Sequence, residues 1–443
     1  MELIFTLAII YFIFTLVAIF KWPELALGVQ LFGKPIFTMA LNKLGIGVGA
    51  AYFILSLTLL SFLIYQRKPR CQGIFRFTNI EIAMLLLLIW GTISLTFTPS
   101  PNYGAVKITH LALIGIPIMI SARLFTSSAE NLKLTLQVLG WYAIFTLFII
   151  TIFVVLVGTG STGIRLKSAY FGVLGLGYSA AAMSVFACYI AITGNVVSKS
   201  VALFSILYSS IVLIIGSGSR GPVLAFVVAI ALTLLRGKQI VRTLSIAGVF
   251  TAVIYFVAIN FASETGLARI TGENESGSKS TETRIHLFET GVNQFLDHPI
   301  IGQGTGSFSD YFLGRDVKSY PHNYFIEVSG ELGLIGLSLF LIAMYLCATN
   351  VWRVRRYVGS GVEYGFWEIT IIQILFFAGF LTAMVSFDFS KQRLFYTSIG
   401  LIAAISQWNW QTTQETSSTF AANTPTNQDD GASNSTDIST IRS

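Results

Sequence analysis

Residues 283–297, Thr283-Arg284-Ile285-His286-Leu287-Phe288-Glu289-Thr290-Gly291-Val292-Asn293-Gln294-Phe295-Leu296-Asp297, lie inside the one long polar interruption of an otherwise apolar chain. The interruption runs from 263 to 331. It holds three of the four histidines (His286, His298, His322), a Gly-rich turn at Ile301-Gly302-Gln303-Gly304-Thr305-Gly306, and the carboxylates Glu327 and Glu331 near its end. On either side, apolar runs of about 20 residues recur, each long enough to cross a hydrocarbon core of roughly 30 Å as a helix. The runs are continuous rather than alternating, which excludes a β-barrel. Charged residues make up only 11% of the chain, against about 25% in soluble domains, and the mean hydropathy is +0.72. This is the composition of an all-α polytopic membrane protein.

Taken as spans, the apolar runs fall near 2–20, 45–65, 79–98, 105–124, 133–157, 171–193, 200–218, 220–235, 243–262, 327–349, 367–386 and 393–409, about twelve helices. The expected organisation is nine spans over 1–262, an outer loop with an amphipathic helix over 263–326, and three spans over 327–410. A cytoplasmic tail over 411–443 follows, rich in Gln, Thr, Ser, Asn and Asp, and is expected to be disordered because it has little apolar surface to bury. The stretch 24–42 is apolar but broken by Gly28, Gly33, Lys34 and Pro35, so it is either re-entrant or a thirteenth span. With the N-terminus cytoplasmic and 24–42 not crossing, the basic loops Gln66-Arg67-Lys68-Pro69-Arg70, Arg236-Gly237-Lys238 and Arg353 with Arg355-Arg356 all fall inside, as the positive-inside rule requires. The expectation is therefore that 24–42 does not cross. The same count places Arg165, Arg220, the whole of 263–326, and Asp388 with Lys391 and Arg393 on the outer face.

The net charge of +7 sits between apolar runs as orientation signals do, and carries no nucleic-acid meaning. Cys71, Cys188 and Cys347 are isolated, so neither a metal cluster nor a disulfide framework is indicated. The N-terminal Met1-Glu2-Leu3-Ile4 lacks a basic region and a small-residue cleavage site, so the first apolar run is expected to be a retained helix.

Within the outer loop, 263–281 is small, polar and Gly-rich. From Arg284 the apolar positions Ile285, Phe288, Val292, Phe295 and Leu296 follow helical spacing, predicting an amphipathic helix on the membrane surface that Asp297-His298-Pro299 stops. Arg284 then falls in the first turn, where a cation opposes the helix dipole. That leaves lipid-phosphate anchoring or, more sharply, binding of a phosphate-bearing substrate, since guanidinium holds two phosphate oxygens in a fork. Gly302-Gln303-Gly304-Thr305-Gly306 follows no strand and lacks the spacing of a dinucleotide fingerprint, so it reads as a tight turn rather than a nucleotide cradle. His322 precedes an apolar helix whose first turns carry Glu327 and Glu331 on one face. A histidine there is neutral near pH 7 and suited to take a proton from an attacking hydroxyl, with an interfacial capping role as the bland alternative. The spacing from His322 to Glu327 misses the ladder that helical metal pairs use, so no metal is assigned. In Ile215-Gly216-Ser217-Gly218-Ser219-Arg220-Gly221-Pro222 the turn accounts for every residue except Arg220, a second phosphate-binding candidate.

Ser217-Gly218-Ser219-Arg220-Gly221, Asp297-His298-Pro299-Ile300-Ile301-Gly302-Gln303-Gly304-Thr305-Gly306-Ser307-Phe308, and Pro321-His322-Asn323-Tyr324 followed by Glu331-Leu332-Gly333-Leu334-Ile335-Gly336 together resemble the O-antigen ligase and O-antigen polymerase family of bacteria. The resemblance is strongest over 160–340. It implies a GT-C-like glycosyltransferase of the bacterial inner membrane. Such an enzyme passes a glycan from undecaprenyl diphosphate to an acceptor sugar hydroxyl, of a growing glycan or a lipid-A core, on the periplasmic face and without cofactor. By position it implies that Arg220 and Arg284 hold the diphosphate and that His322 activates the acceptor. Arg165 resembles a further arginine of the family, although the Pro-Asn that often follows is absent from Ser168-Ala169-Tyr170-Phe171-Gly172. Asp388, Lys391 and Arg393 are weaker matches for acceptor or phosphate contacts, and Glu327 and Glu331 are candidates for acceptor contacts or supporting roles.

The chemistry agrees with the residues taken alone. A glycosyl diphosphate is already activated, so the protein need only neutralise charge on the leaving group and deprotonate the incoming hydroxyl. One base without paired carboxylates predicts direct displacement with inversion. The competing class is a solute transporter. Carriers place ionisable residues near the bilayer midplane on broken helices, whereas here they gather at the outer mouth and only Lys107 and His110 enter a span.

Overall fold

The computed structural model describes residues 2–46, 50–68, 76–157, 173–209, 227–231, 275–358, 365–385, 388–390 and 392–408. Among these every regular element is helical. Six helical stretches are long and apolar enough to cross a membrane: Glu2–Lys21, Asn79–Thr96, Pro101–Phe125, Ala129–Phe153, Tyr324–Arg355 and Phe366–Met384. The shorter apolar helices Tyr52–Gln66, Gly177–Thr193 and Val196–Ile206 join them. The all-helical polytopic class is thus as expected. Of the run 220–235 only 227–231 is described, and it is helical; the run 243–262 and the tail 411–443 lie outside the described residues.

In chain order the elements are α1 Glu2–Lys21, α2 Leu25–Gly28, α3 Lys34–Lys43, α4 Ala50–Gln66, α5 Asn79–Ile93, α6 Pro101–His110, α7 Ile116–Phe125, α8 Ala129–Val157, α9 Val173–Thr193 and α10 Val196–Ser209. Beyond these come α11 Glu275–Asp297, α12 Phe308–Leu313, α13 Tyr324–Val358, α14 Phe366–Val385 and α15 Arg393–Gln407. Helices α6 and α7 are one span interrupted by a π-helical turn at Leu111–Gly115.

The structure corrects the reading of 24–42. The stretch is helical from Leu25 to Lys43, a π-helical turn at Val29–Gly33 joining α2 to α3. Phe12 meets Phe37 at 5.0 Å between ring centroids, and the Lys43 ammonium lies over the Phe5 ring at 5.2 Å. These partners are about equally far from the turn after Lys21, so the stretch returns along the whole length of α1. That is a path of about 30 Å at 1.5 Å per residue. Gly28 and Gly33 are packing devices rather than breakers. A Cβ on Gly28 would stand 2.4 Å from the Tyr142 ring, and one on Gly33 would stand 3.0 Å from the Tyr142 hydroxyl. That hydroxyl belongs to a buried network in which Tyr11 donates to Tyr142 at 2.6 Å. α4 then follows in the opposite sense, with Phe53 level with Phe12 (5.5 Å) and Thr58 accepting from Gln30 Nε2 at 2.6 Å. Arg67 and Lys68 consequently lie at the opposite end of the bundle from the N-terminus, and not on the same side as expected.

The two ends of the bundle differ in chemistry. At the end carrying Arg67 and Lys68, Arg123 Nε pairs with Glu81 at 2.6 Å and reaches Gln407 at 3.2 Å, while Arg353 donates to the Ser406 carbonyl at 3.3 Å. Glu81 also completes a capping box with Thr78 that starts α5. At the other end the polar interruption folds over the junction of α5 and α6, where Thr98 donates to the Thr305 carbonyl at 2.9 Å and Asp316 accepts from the Asn102 and Tyr103 amides at 2.8 and 2.9 Å.

Candidate active site

α11 supplies the roof of the site. It begins at Glu275, nine residues before Arg284, so Arg284 sits well inside the helix and not in its first turn. The dipole argument therefore does not apply to Arg284, whose side chain is exposed. The helix ends at Asp297, as Asp297-His298-Pro299 predicts. Its buried face is Leu287, Gly291 and Gln294, set against α13, whereas Ile285, Phe288 and Leu296 of the expected apolar stripe are 54%, 46% and 65% exposed. A Cβ on Gly291 would stand 2.2 Å from Ile326, so glycine sets the closeness of this packing. Gln294 is enclosed and donates to Gln303 Oε1 (3.0 Å) and Ser307 Oγ (2.8 Å), tying the roof to the Gly-rich turn.

That turn is stapled to a break in α13. Gly333 has φ 63° and ψ −163°, which interrupts the helix and frees the carbonyls before it. Gln303 N donates to Gly330 O (3.1 Å), Gly304 N to Glu331 O (2.8 Å) and the Trp90 indole to Leu332 O (3.0 Å). In return Leu334 N donates to Pro299 O at 2.8 Å. The amides of Thr305, Gly306 and Ser307 go to Ser94 Oγ, Glu331 Oε2 and Gly304 O at 3.0, 2.9 and 3.1 Å. Every amide from Gln303 to Ser307 is thus spent inside the protein, and none is left to cradle a phosphate.

Beneath the turn, Lys107 of α6 is wholly buried between Glu327 and Glu331 of α13. Its ammonium is 2.6 Å from Glu331 Oε2 and is ion-paired with Glu327 as well. Each carboxylate also accepts a backbone amide from a different loop, Glu331 from Gly306 and Glu327 from Phe389 at 3.0 Å. The Lys107 ammonium lies 4.7 Å from the Phe389 ring centroid. One buried lysine therefore joins α6, α13, the Gly-rich turn and the loop before α15. Glu327 and Glu331 are enclosed in this cluster, with no exposed side-chain surface. Asp388, also buried, accepts from the Ser390 hydroxyl and amide at 2.5 and 3.1 Å.

His322 stands at the rim of this cluster. Asn323 starts α13, its side-chain oxygen accepting from Phe325 N (3.0 Å) and Ile326 N (3.3 Å), so His322 lies just outside the helix. It has φ 58°, the sole positive φ of a non-glycine residue among those described. A positive φ is uncommon for a non-glycine residue, histidine being among those that adopt it more readily, and such positions cluster at active sites and ligand clamps. Its ring centroid is 4.4 Å from that of Tyr320. Burial pushes the Tyr320 phenol up to about 12, Asp388 and Glu327 adding to the rise while Lys107 and Arg284 oppose it. Tyr320 therefore stands within electrostatic reach of the buried cluster on one hand and of Arg284 on the other.

The segment that carries this constellation, residues 204–341, matches the family model described as O-antigen ligase. That stretch of the chain is similar to the O-antigen ligase family. A search of curated proteins finds no match to the chain. The matched segment contains α11 to the break in α13, and with them Arg284, Tyr320, His322, Glu327 and Glu331. Arg220 lies within it and Arg165 before it, both outside the described residues, as is Lys391. The Arg393 guanidinium donates to the Gln30 carbonyl in the π-helical turn at 2.7 Å. Among the described residues no three His, Cys, Asp or Glu side chains are grouped as metal ligands. Lys107 and Tyr320 are the residues that sequence reasoning passed over. The signal for Lys107 was present, since a lysine inside an apolar span requires a partner.

Proposed function

We propose that this protein transfers a glycan from undecaprenyl diphosphate to an acceptor sugar hydroxyl, as an O-antigen ligase or polysaccharide polymerase of the bacterial inner membrane. The observation that carries this reading is His322, held at φ 58° on the rim of the bundle inside the family-matched segment, with Arg284 within electrostatic reach of the adjoining Tyr320. His322 takes the proton of the acceptor hydroxyl as its oxygen attacks the anomeric carbon, and the undecaprenyl diphosphate leaves with the bonding electrons. Arg284, with Arg220 and Arg165, neutralises the charge that develops on the diphosphate. The displacement is direct, inverts the anomeric carbon and draws on no metal. The end of the bundle bearing His322 is opposite the basic residues Arg67, Lys68 and Arg353, so the positive-inside rule supports a periplasmic site.

Transfer from purified undecaprenyl-diphosphate-linked glycan in proteoliposomes tests the reading. Wild-type protein transfers in the presence of EDTA, and Arg284→Ala and His322→Ala lose transfer. Equal rates in all three proteins refute the site, loss with EDTA refutes metal independence, and retention of the donor's anomeric configuration refutes direct displacement.

A further inference from the structure

At the end of the bundle that carries Arg67 and Lys68, two adjoining cavities open between helices. The larger, about 600 Å³, lies between α1, α2, α8 and the junction of α9 with α10, and its walls include Phe14, Trp22, Leu25, Trp141, Phe145 and Ile190. The smaller, about 200 Å³, carries the charged side chains Lys133 and Glu368 and shares Gln137 and Thr193 with the larger. Glu368 accepts from the Tyr189 hydroxyl at 2.6 Å. Lys133 is exposed, as is Lys21, whose ammonium lies 4.6 Å from the Trp22 ring centroid. Cations therefore stand at the mouth, and the depth is apolar.

Along α1 the larger cavity runs from Trp22 to Phe14, and along α8 from Leu134 to Phe145, about 12 and 17 Å at 1.5 Å per residue. That matches half of a hydrocarbon core of roughly 30 Å. At the deep end Tyr142 presents its ring, its hydroxyl being engaged with that of Tyr11 at 2.6 Å. Phe14 and Trp141 are 52% and 44% exposed, so the groove opens sideways, toward the bilayer. We propose that this groove holds one anionic glycerophospholipid of the leaflet at the basic end, an acyl chain lying along α1 and α8 and the phosphate at the level of Lys21 and Lys133. The site is separate from the transfer reaction. Lipid tails are as apolar as the groove, so a chain gains little by entering it and the charge at the mouth selects the lipid. A lysine beside an anionic headgroup contributes about fivefold in affinity.

The test uses full-length protein in phosphatidylcholine nanodiscs with a phosphatidylglycerol probe that bears a diazirine in its acyl chain, the adducts being mapped by peptide mass spectrometry. Adducts concentrate on the groove side chains Phe14, Trp22, Leu134, Trp141 and Phe145. Unlabelled phosphatidylglycerol displaces the probe, and added phosphatidylcholine does not. Lys21→Gln and Lys133→Gln each weaken the phosphatidylglycerol competition about fivefold. Ala18→Trp, which places an indole in the groove, removes the adducts, and Leu134→Trp does the same from the facing wall if the first variant is not monodisperse. Adducts spread evenly over exposed apolar side chains outside the groove, such as Ile10, Phe148 and Phe204, mean annular lipid only and overturn the proposal. Equal displacement by phosphatidylcholine, unchanged competition in both lysine variants, or adducts that survive the tryptophan substitution overturn it as well.

Discussion

Replacing Lys107 with methionine removes the cation seated between two buried carboxylates. Lys107, Glu327 and Glu331 have no exposed side-chain surface, so neither glutamate can recover water when the ammonium is lost. Each retains a single loop amide, from Phe389 or Gly306. Breaking a buried ion pair by deleting one partner costs about 3–5 kcal/mol, and here two carboxylates are stranded at once, so the upper part of that range applies. Neutralising the glutamates at the same time removes the stranded charge. The triple variant Lys107→Met, Glu327→Gln, Glu331→Gln should regain most of the loss, because an uncharged arrangement of similar volume is often neutral relative to a buried pair. The assay is the thermal midpoint of detergent-purified protein, followed by loss of monodispersity on size exclusion. A large drop for the single variant and a substantial recovery for the triple is expected. If Lys107→Met melts with wild type, or the triple is no more stable than the single, the cluster does not hold the fold together as argued.

Three further outcomes follow from individual positions. His322→Gly removes strain of about 1 kcal/mol or more at φ 58° and keeps or raises the thermal midpoint while transfer falls by about 10²–10⁴, so a destabilised His322→Gly would contradict the backbone assignment. Gly302→Ala brings a Cβ to 2.3 Å from the Glu331 carbonyl and should lower the midpoint markedly, whereas Gly45→Ala, at φ 70° with open space around it, should cost only about 1 kcal/mol; similar midpoints would dispute the packing of the Gly-rich turn. Leu287→Ser, on the buried face of α11, should cost about 2–3 kcal/mol in detergent and Phe288→Ser little, an order that reverses if the helix is rotated about its axis.

Those contrasts mark where sequence reading succeeds and where it stops. The stop at Asp297-His298-Pro299 was legible because proline excludes continued helix locally, whatever surrounds it. The start of α11 was not, since Glu275 to Thr283 carries no apolar period, and the buried face proved to be Leu287, Gly291 and Gln294, two of which no hydrophobicity pattern would select. Gly28, Gly33 and Pro35 looked like breaks because their cost in an isolated helix is known. Here the Tyr142 ring fills the space beside the two glycines, and Pro35, which has no amide to donate, falls directly after the π-helical turn at Val29–Gly33.

Composition and apolar run length alone determined that this chain is helical and membrane-spanning, because the bilayer leaves the backbone few ways to satisfy its polar groups. The order and spacing of Arg220, the Gly-rich turn and His322 determined the family resemblance. Only the tertiary structure decided which polar residues hold the site together and which are presented at its rim. Lys107 finds Glu327 and Glu331 more than two hundred positions along the chain, and Tyr320 gathers the fields of Asp388, Glu327 and Arg284 from three separate elements. Ion pairing and ring contact act over a few ångströms of space, and separation along the chain carries no measure of that distance until the helices are packed.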